Sequence, residues 1–136
     1  MGAKPAEDKV NSTLHKIRTE HVILSNGHIE RFLSFQNNDL PGIMLGASFE
    51  KYVCRYGVVP SKEPVIFSNN SNTNSLIKTL LELNIKPNAY IDSISGEQIE
   101  PELFDLIINN DIPLYTNAQV KAAYGNKKLE KIIVQD

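Results

Sequence analysis

The stretch Val65–Asp92, VIFSNNSNTNSLIKTLLELNIKPNAYID, leaves this chain few folds to choose from. The apolar run Val65-Ile66-Phe67 stops at a polar cluster from Ser68 to Ser75. Leu76, Ile77, Leu80, Leu81 and Leu83 then recur at helical spacing and share one face. Asn84 is placed to end that helix, and Pro87 blocks its continuation. A second apolar run, Ala89-Tyr90-Ile91, ends at Asp92. Strand, loop, helix and strand in this order make a βαβ unit, and such a crossover sets its two strands parallel.

That unit has a chemical consequence. The Ser68–Ser75 loop opens onto a helix N-terminus, where free N–H groups and the helix dipole favour an anion. Asp92 closes the second strand at the place where dinucleotide-binding folds keep an acid for a ribose hydroxyl. Asn69, Asn70 and Asp92 are therefore candidate cofactor contacts. The loop holds no glycine, whereas the dinucleotide fingerprint uses glycine to bring backbone close to a pyrophosphate. An ordinary βαβ turn capped by Asn and Ser is the simpler reading of the same residues.

The flanks extend the pattern. Residues 1–12 read as a polar tail, and Leu14–Ile17 and His21–Leu24 as short strands, the second ended by Ser25-Asn26-Gly27. Ser25, Asn26 and Gly27 would lie at the carboxyl end of a strand, where open α/β sheets collect ligands; a plain Asn-Gly turn is the alternative. Residues 30–41 form an irregular connection closed by Pro41-Gly42. Leu45, Phe49, Tyr52, Val53 and Tyr56 then predict a helix with a buried aromatic stripe, ended by Gly57, with Cys54 packed beside it. A third helix starts at Pro101, buries Leu103, Phe104, Ile107 and Ile108, and ends at Asn109-Asn110. Ile112–Thr116 reads as a strand, and Val120–Tyr124 with Leu129–Val134 as a hairpin about Gly125-Asn126. The expected fold class is α/β: a Rossmann-like, three-layer βαβ domain with a parallel sheet and a C-terminal β-hairpin.

Composition excludes several functions. A net charge of −2 gives no global field towards nucleic acid or an anionic membrane. A single cysteine excludes an internal disulfide and a Cys-rich zinc site. His15, His21 and His28 are not spaced for a helical zinc motif, and His28-Ile29-Glu30 lacks the P-C-x-x-C that a zinc deaminase needs. No apolar run is long enough to span a bilayer, and the first residues lack a signal-peptide core, so a cytoplasmic location is expected. No nucleophile–base pair is visible, so catalytic and metal residues are expected to be absent; any redox chemistry would have to come from a cofactor.

Several stretches together resemble a known family. HVILSNGHIERF, residues 21–32, is similar to V-V-L-A-T-G-A-x-E-R-P of the alpha subunit of heterotetrameric sarcosine oxidase and related amine dehydrogenases. NDLPGIML, residues 38–45, resembles N-D-x-P-G-V-M-L; YVCRYGV, residues 52–58, resembles Y-L-N-R-Y-G-V; and VIFSNN, residues 65–70, resembles V-V-F-T-N-N. Ser25 and Asn26 stand where the family has Ala and Thr, and Phe32 where it has Pro. The resemblance implies a two-dinucleotide-domain reductase fold of the pyridine nucleotide-disulfide oxidoreductase kind. Residues 13–59 would be the closing part of the larger domain with its connection, and 60–136 the smaller inserted domain. It further implies a fragment of the subunit, inactive alone, with Ser25-Asn26-Gly27 matching the family's dinucleotide edge. NAD or FAD would be the cofactor of the whole subunit, other subunits of a hetero-oligomeric oxidase its partners, and self-association a property of the isolated chain. Two further readings stay open: a Rossmann-like scaffold or subunit contact that binds no nucleotide, with Val22, Ile23 and Leu24 left exposed, and an autonomous small-molecule-binding domain.

Overall fold

The computed structural model describes residues 12–27, 29–70 and 73–135. Most of the polar tail, His28, and Ser71 and Asn72 in the central loop lie outside the described residues.

The first helix, α1, spans Gly46–Tyr56. Its end is set by Gly57, at φ 63°, a left-handed conformation that glycine adopts without the clash a Cβ would bring. β1 (Val65–Ser68), α2 (Asn74–Glu82) and β2 (Ala89–Asp92) then form the expected βαβ unit. Asn84, at φ 57°, turns the chain out of α2. α3 (Pro101–Asn109) opens with proline at its first position and leads to β3, the short strand Leu114–Tyr115. β4 (Gln119–Tyr124) and β5 (Lys131–Gln135) close the chain as an antiparallel pair.

The sheet order is β1-β2-β3, all parallel, with β4-β5 as a separate two-stranded sheet. Successive residues of a strand face opposite sides, and the two sides have different neighbours here. Ile66 and Tyr90 join Phe49 of α1, Ile77 and Leu80 of α2, and Leu103 and Ile107 of α3 in one core. Ile91 joins Ala118 and Val120 on the other side, where Phe35, Phe67, Ile132 and Val134 also pack. Helices, parallel sheet and hairpin are thus three layers, as the Rossmann-like reading requires.

Residues 35–42 are more ordered than an irregular connection. Gln36 pairs with Ala122 as a parallel bridge, donating its N–H to Lys121 and accepting from Ala123. Asn37 Nδ2 also donates to the Ala123 carbonyl, and the Phe35 ring meets Phe67 edge-on at 6.3 Å. This short pairing staples the segment to the hairpin layer.

Several expectations need correction. Leu14–Ile17 and His21–Leu24 form no strand, and Leu14, Ile17, Val22, Ile23 and Leu24 are all exposed. A strand is held by ladder bonds to a neighbour, and no described segment pairs with these residues, so their backbone is left to water. On α1 only Phe49 is buried, with Val53 partly so; Tyr52, Tyr56 and Cys54 face solvent. Among the helices α1 packs chiefly against α2, so one narrow stripe is covered instead of the wide aromatic face expected. Leu83, Phe104 and Ile108 are exposed as well: the buried positions are Ile77 and Leu80 on α2, which Leu83 caps, and Leu103 and Ile107 on α3.

Candidate functional site

The carboxyl ends of β1 and β2 carry the densest polar arrangement among the described side chains. Register puts Ser68 directly opposite Asp92. Both are buried, at 7% and 0% exposure, although strand ends at a loop face are ordinarily wet. Tyr90, two residues before Asp92, presents its ring to the same face, because side chains alternate along a strand. Thr73 enters from the start of α2.

These four side chains bond to one another. The Tyr90 hydroxyl donates to Asp92 Oδ2 at 2.8 Å and lies 3.3 Å from Thr73 Oγ1. The Ser68 and Thr73 hydroxyls are 2.8 Å apart. Ser68 Oγ also donates to the Asn70 carbonyl at 2.8 Å and accepts from the Asn70 N–H at 3.2 Å. The other carboxylate oxygen, Asp92 Oδ1, accepts from the Ile94 N–H at 3.1 Å. Burial pushes the Tyr90 hydroxyl up to about 12; the Thr73 and Ser68 hydroxyls pull it down, and the neighbouring carboxylate adds to the rise. Tyr90 is therefore a neutral hydrogen-bond donor at ordinary pH.

The arrangement closes the loop by itself. Ser68 and Thr73 form the hydroxyl side of a turn that a glycine fingerprint would otherwise leave open to backbone approach. Asp92 has each oxygen engaged from within the chain. Asn69 and Asn70 lie on the exposed rim, with Asn70 Nδ2 donating to Asn69 Oδ1 at 3.3 Å. Asn69, Asn70 and Asp92 are thus brought to one corner, the asparagines facing solvent and the aspartate facing inward.

Ser25, Asn26 and Gly27 are not part of that corner. They sit in exposed chain outside both sheets, with Gly27 in the left-handed region at φ 65°. Sequence reasoning missed Ser68, Thr73 and Tyr90 as members of the polar corner. Ser68 could have been found by aligning two equal-length parallel strands end to end, which sets it against Asp92. Among the described residues no group of three or more His, Cys, Asp or Glu is placed to hold a metal ion. Among the same residues no helix is long and apolar enough to cross a membrane.

No family model matches the chain. The sarcosine oxidase alpha subunit of Rhizobium meliloti (strain 1021) is 33% identical over 90 residues, covering 66% of this chain and 9% of that subunit. This chain resembles a segment of the sarcosine oxidase alpha subunit. Two further sarcosine oxidase alpha subunits agree. That of Corynebacterium sp. (strain P-1) is 38% identical over 64 residues, and that of Corynebacterium sp. (strain U-96) 36% over the same length. Each of those matches covers 47% of the chain and 7% of the relative. What is matched is a short segment of a much longer subunit. The resemblance to sarcosine oxidase alpha subunits read from the motifs therefore stands.

Proposed function

We propose that this chain is a non-catalytic part of a sarcosine oxidase-like amine oxidoreductase. In this reading residues 60–136 are the smaller inserted domain, a scaffold, and residues 13–59 belong to the closing part of a larger dinucleotide-binding domain. Ser25, Asn26 and Gly27 would line the NAD or FAD edge once the rest of that domain is in place. Other subunits of a hetero-oligomeric oxidase are the partners this reading requires, and a cytoplasmic location goes with it.

The observation that carries the proposal is the self-satisfied corner at Asp92. Its carboxylate accepts from Tyr90 and from the Ile94 amide and has no exposed surface. A ribose hydroxyl could reach that carboxylate only by opening the buried corner and disturbing its hydrogen bonds, at about 1–3 kcal/mol for each polar group left unpaired. Support for the oxidoreductase setting comes from the similarity to sarcosine oxidase alpha subunits. The scaffold-only reading has the exposure of Val22, Ile23 and Leu24 in its favour.

An NMR titration of the whole chain with NAD, and then FAD, separates the readings. Saturable shifts at Ser25–Gly27 are expected if the cofactor edge survives in this chain. Shifts confined to Asn69, Asn70 and Thr73–Ser75 would move the nucleotide to the small domain and overturn the assignment of that domain as scaffold. Unmoved resonances at millimolar ligand would leave the scaffold reading alone.

A further inference from the structure

The Glu30 carboxylate straddles the first two amides of α1. Oε1 accepts from Gly46 N at 3.1 Å and Oε2 from Ala47 N at 2.9 Å. Both amides belong to the N-terminal donors that a helix cannot satisfy internally, and a negative charge there is favoured by the helix dipole. α1 supplies neither need locally. Leu45 at the cap position makes no side-chain bond, and the first turn holds no acidic residue. A residue far upstream in sequence therefore provides the cap.

Gly46 is shaped for this contact. A Cβ there would meet Leu76 Cδ2 at 2.9 Å and Glu30 Oε1 at 3.3 Å. Glycine at the first helical position lets α1 approach α2 and the carboxylate at once. Among the described residues from 12 to 32, Glu30 makes the hydrogen bonds that reach the folded body, whereas those of Thr19 and His21 stay local. Downstream the chain is held again where Gln36 pairs with β4. Ser25–Gly27 thus lie just beyond the outermost anchor.

We propose that Glu30 is a positioning residue: its carboxylate, seated on Gly46 and Ala47, latches the exit of the Ser25–Gly27 segment to the N-terminus of α1. Three residues of chain reach at most about 10 Å, so Gly27 stays within about that distance of the Glu30 backbone, whose side chain is seated on the helix end. The assignment of Ser25–Gly27 as a cofactor edge rests on the functional reading above; the latch itself is a property of the free chain.

The test is limited trypsin digestion of the whole chain under native conditions, with Glu30→Gln compared to wild type. Arg31 is exposed and adjacent to the latch, so cleavage after it reports release. Loss of a charge-assisted cap predicts cleavage about three- to tenfold faster after Arg31, with the rate after Arg55 on α1 unchanged. The Gly46 and Ala47 amide resonances should shift together. Gly46→Ala, which crowds the carboxylate from the other side, should also speed cleavage after Arg31. An unchanged Arg31 rate in Glu30→Gln overturns the proposal. An equal rise after Arg55 also overturns it, since melting of α1 would then be the cause. No nucleotide enters these measurements, so the latch can stand while the cofactor edge fails in the NAD titration, or fail while that edge stands.

Discussion

The Tyr90 hydroxyl donates to the Asp92 carboxylate at 2.8 Å, two residues along one strand and away from solvent. Tyr90→Phe deletes that donor and leaves Asp92 Oδ2 buried without it. The expected cost is about 1–3 kcal/mol, read as a lower urea midpoint at an unchanged slope. Wild-type stability in Tyr90→Phe would mean that the carboxylate finds water instead, and that the corner is open.

Alkali should destabilise the protein through the same residue. The folded state holds the Tyr90 proton up to about 12, while the unfolded chain releases it near 10. Between those values the unfolded state binds fewer protons, so stability falls as pH rises through the window, by on the order of 1–3 kcal/mol. Below pH 10 this residue should leave stability flat. Tyr90→Phe should show less alkaline loss than wild type when both are followed by urea unfolding at stepped pH.

Leu80 and Leu83 sit on one helical pattern but differ in exposure, 1% against 46%. Leu80→Ala should cost about 2–5 kcal/mol, because it empties a packed site. Leu83→Ala should stay within about 0.5 kcal/mol. Equal costs in equilibrium unfolding would show that α2 is rotated from the orientation described.

Ile23 is 92% exposed. Ile23→Asp should therefore change the unfolding free energy by no more than about 0.5 kcal/mol. A loss beyond roughly 2 kcal/mol would mean that the 12–27 segment packs on the folded body in solution.

Gly57→Ala places a Cβ on a residue at φ 63° and should cost about 1 kcal/mol, with α1 fraying from its C-terminal end. Hydrogen exchange at Arg55 and Tyr56 would show it; unchanged protection there would count against the left-handed cap.

The βαβ unit was legible because each of its parts announces itself locally. Polar residues at 68–75 interrupt two apolar runs, Pro87 and Asn84 bound the helix, and Gly57 and Pro101 mark helix ends through their own backbone limits. The hairpin was legible for the same reason. The Asn69, Asn70 and Asp92 corner was half legible: its location follows from strand ends, but the inward turn of Asp92 depends on Tyr90, whose hydroxyl reads in sequence as part of an apolar run.

Local pattern and backbone chemistry alone determined the order of helices and strands from Gly46 onward, with ends such as those of Leu114–Tyr115 and Lys131–Gln135 shifted by one or two residues, and that the fold is α/β with a parallel sheet. Tertiary structure decided the rest. Burial is settled by what covers a face, so Phe49 and Leu80 are inside while Tyr52 and Leu83, equally apolar in pattern, are not. Strand formation needs a paired neighbour, so His21–Leu24, apolar enough for a sheet, stays exposed and unpaired. The reach of Glu30 across the intervening chain to cap α1 follows from no local rule, because a cap of this kind is made by proximity in space.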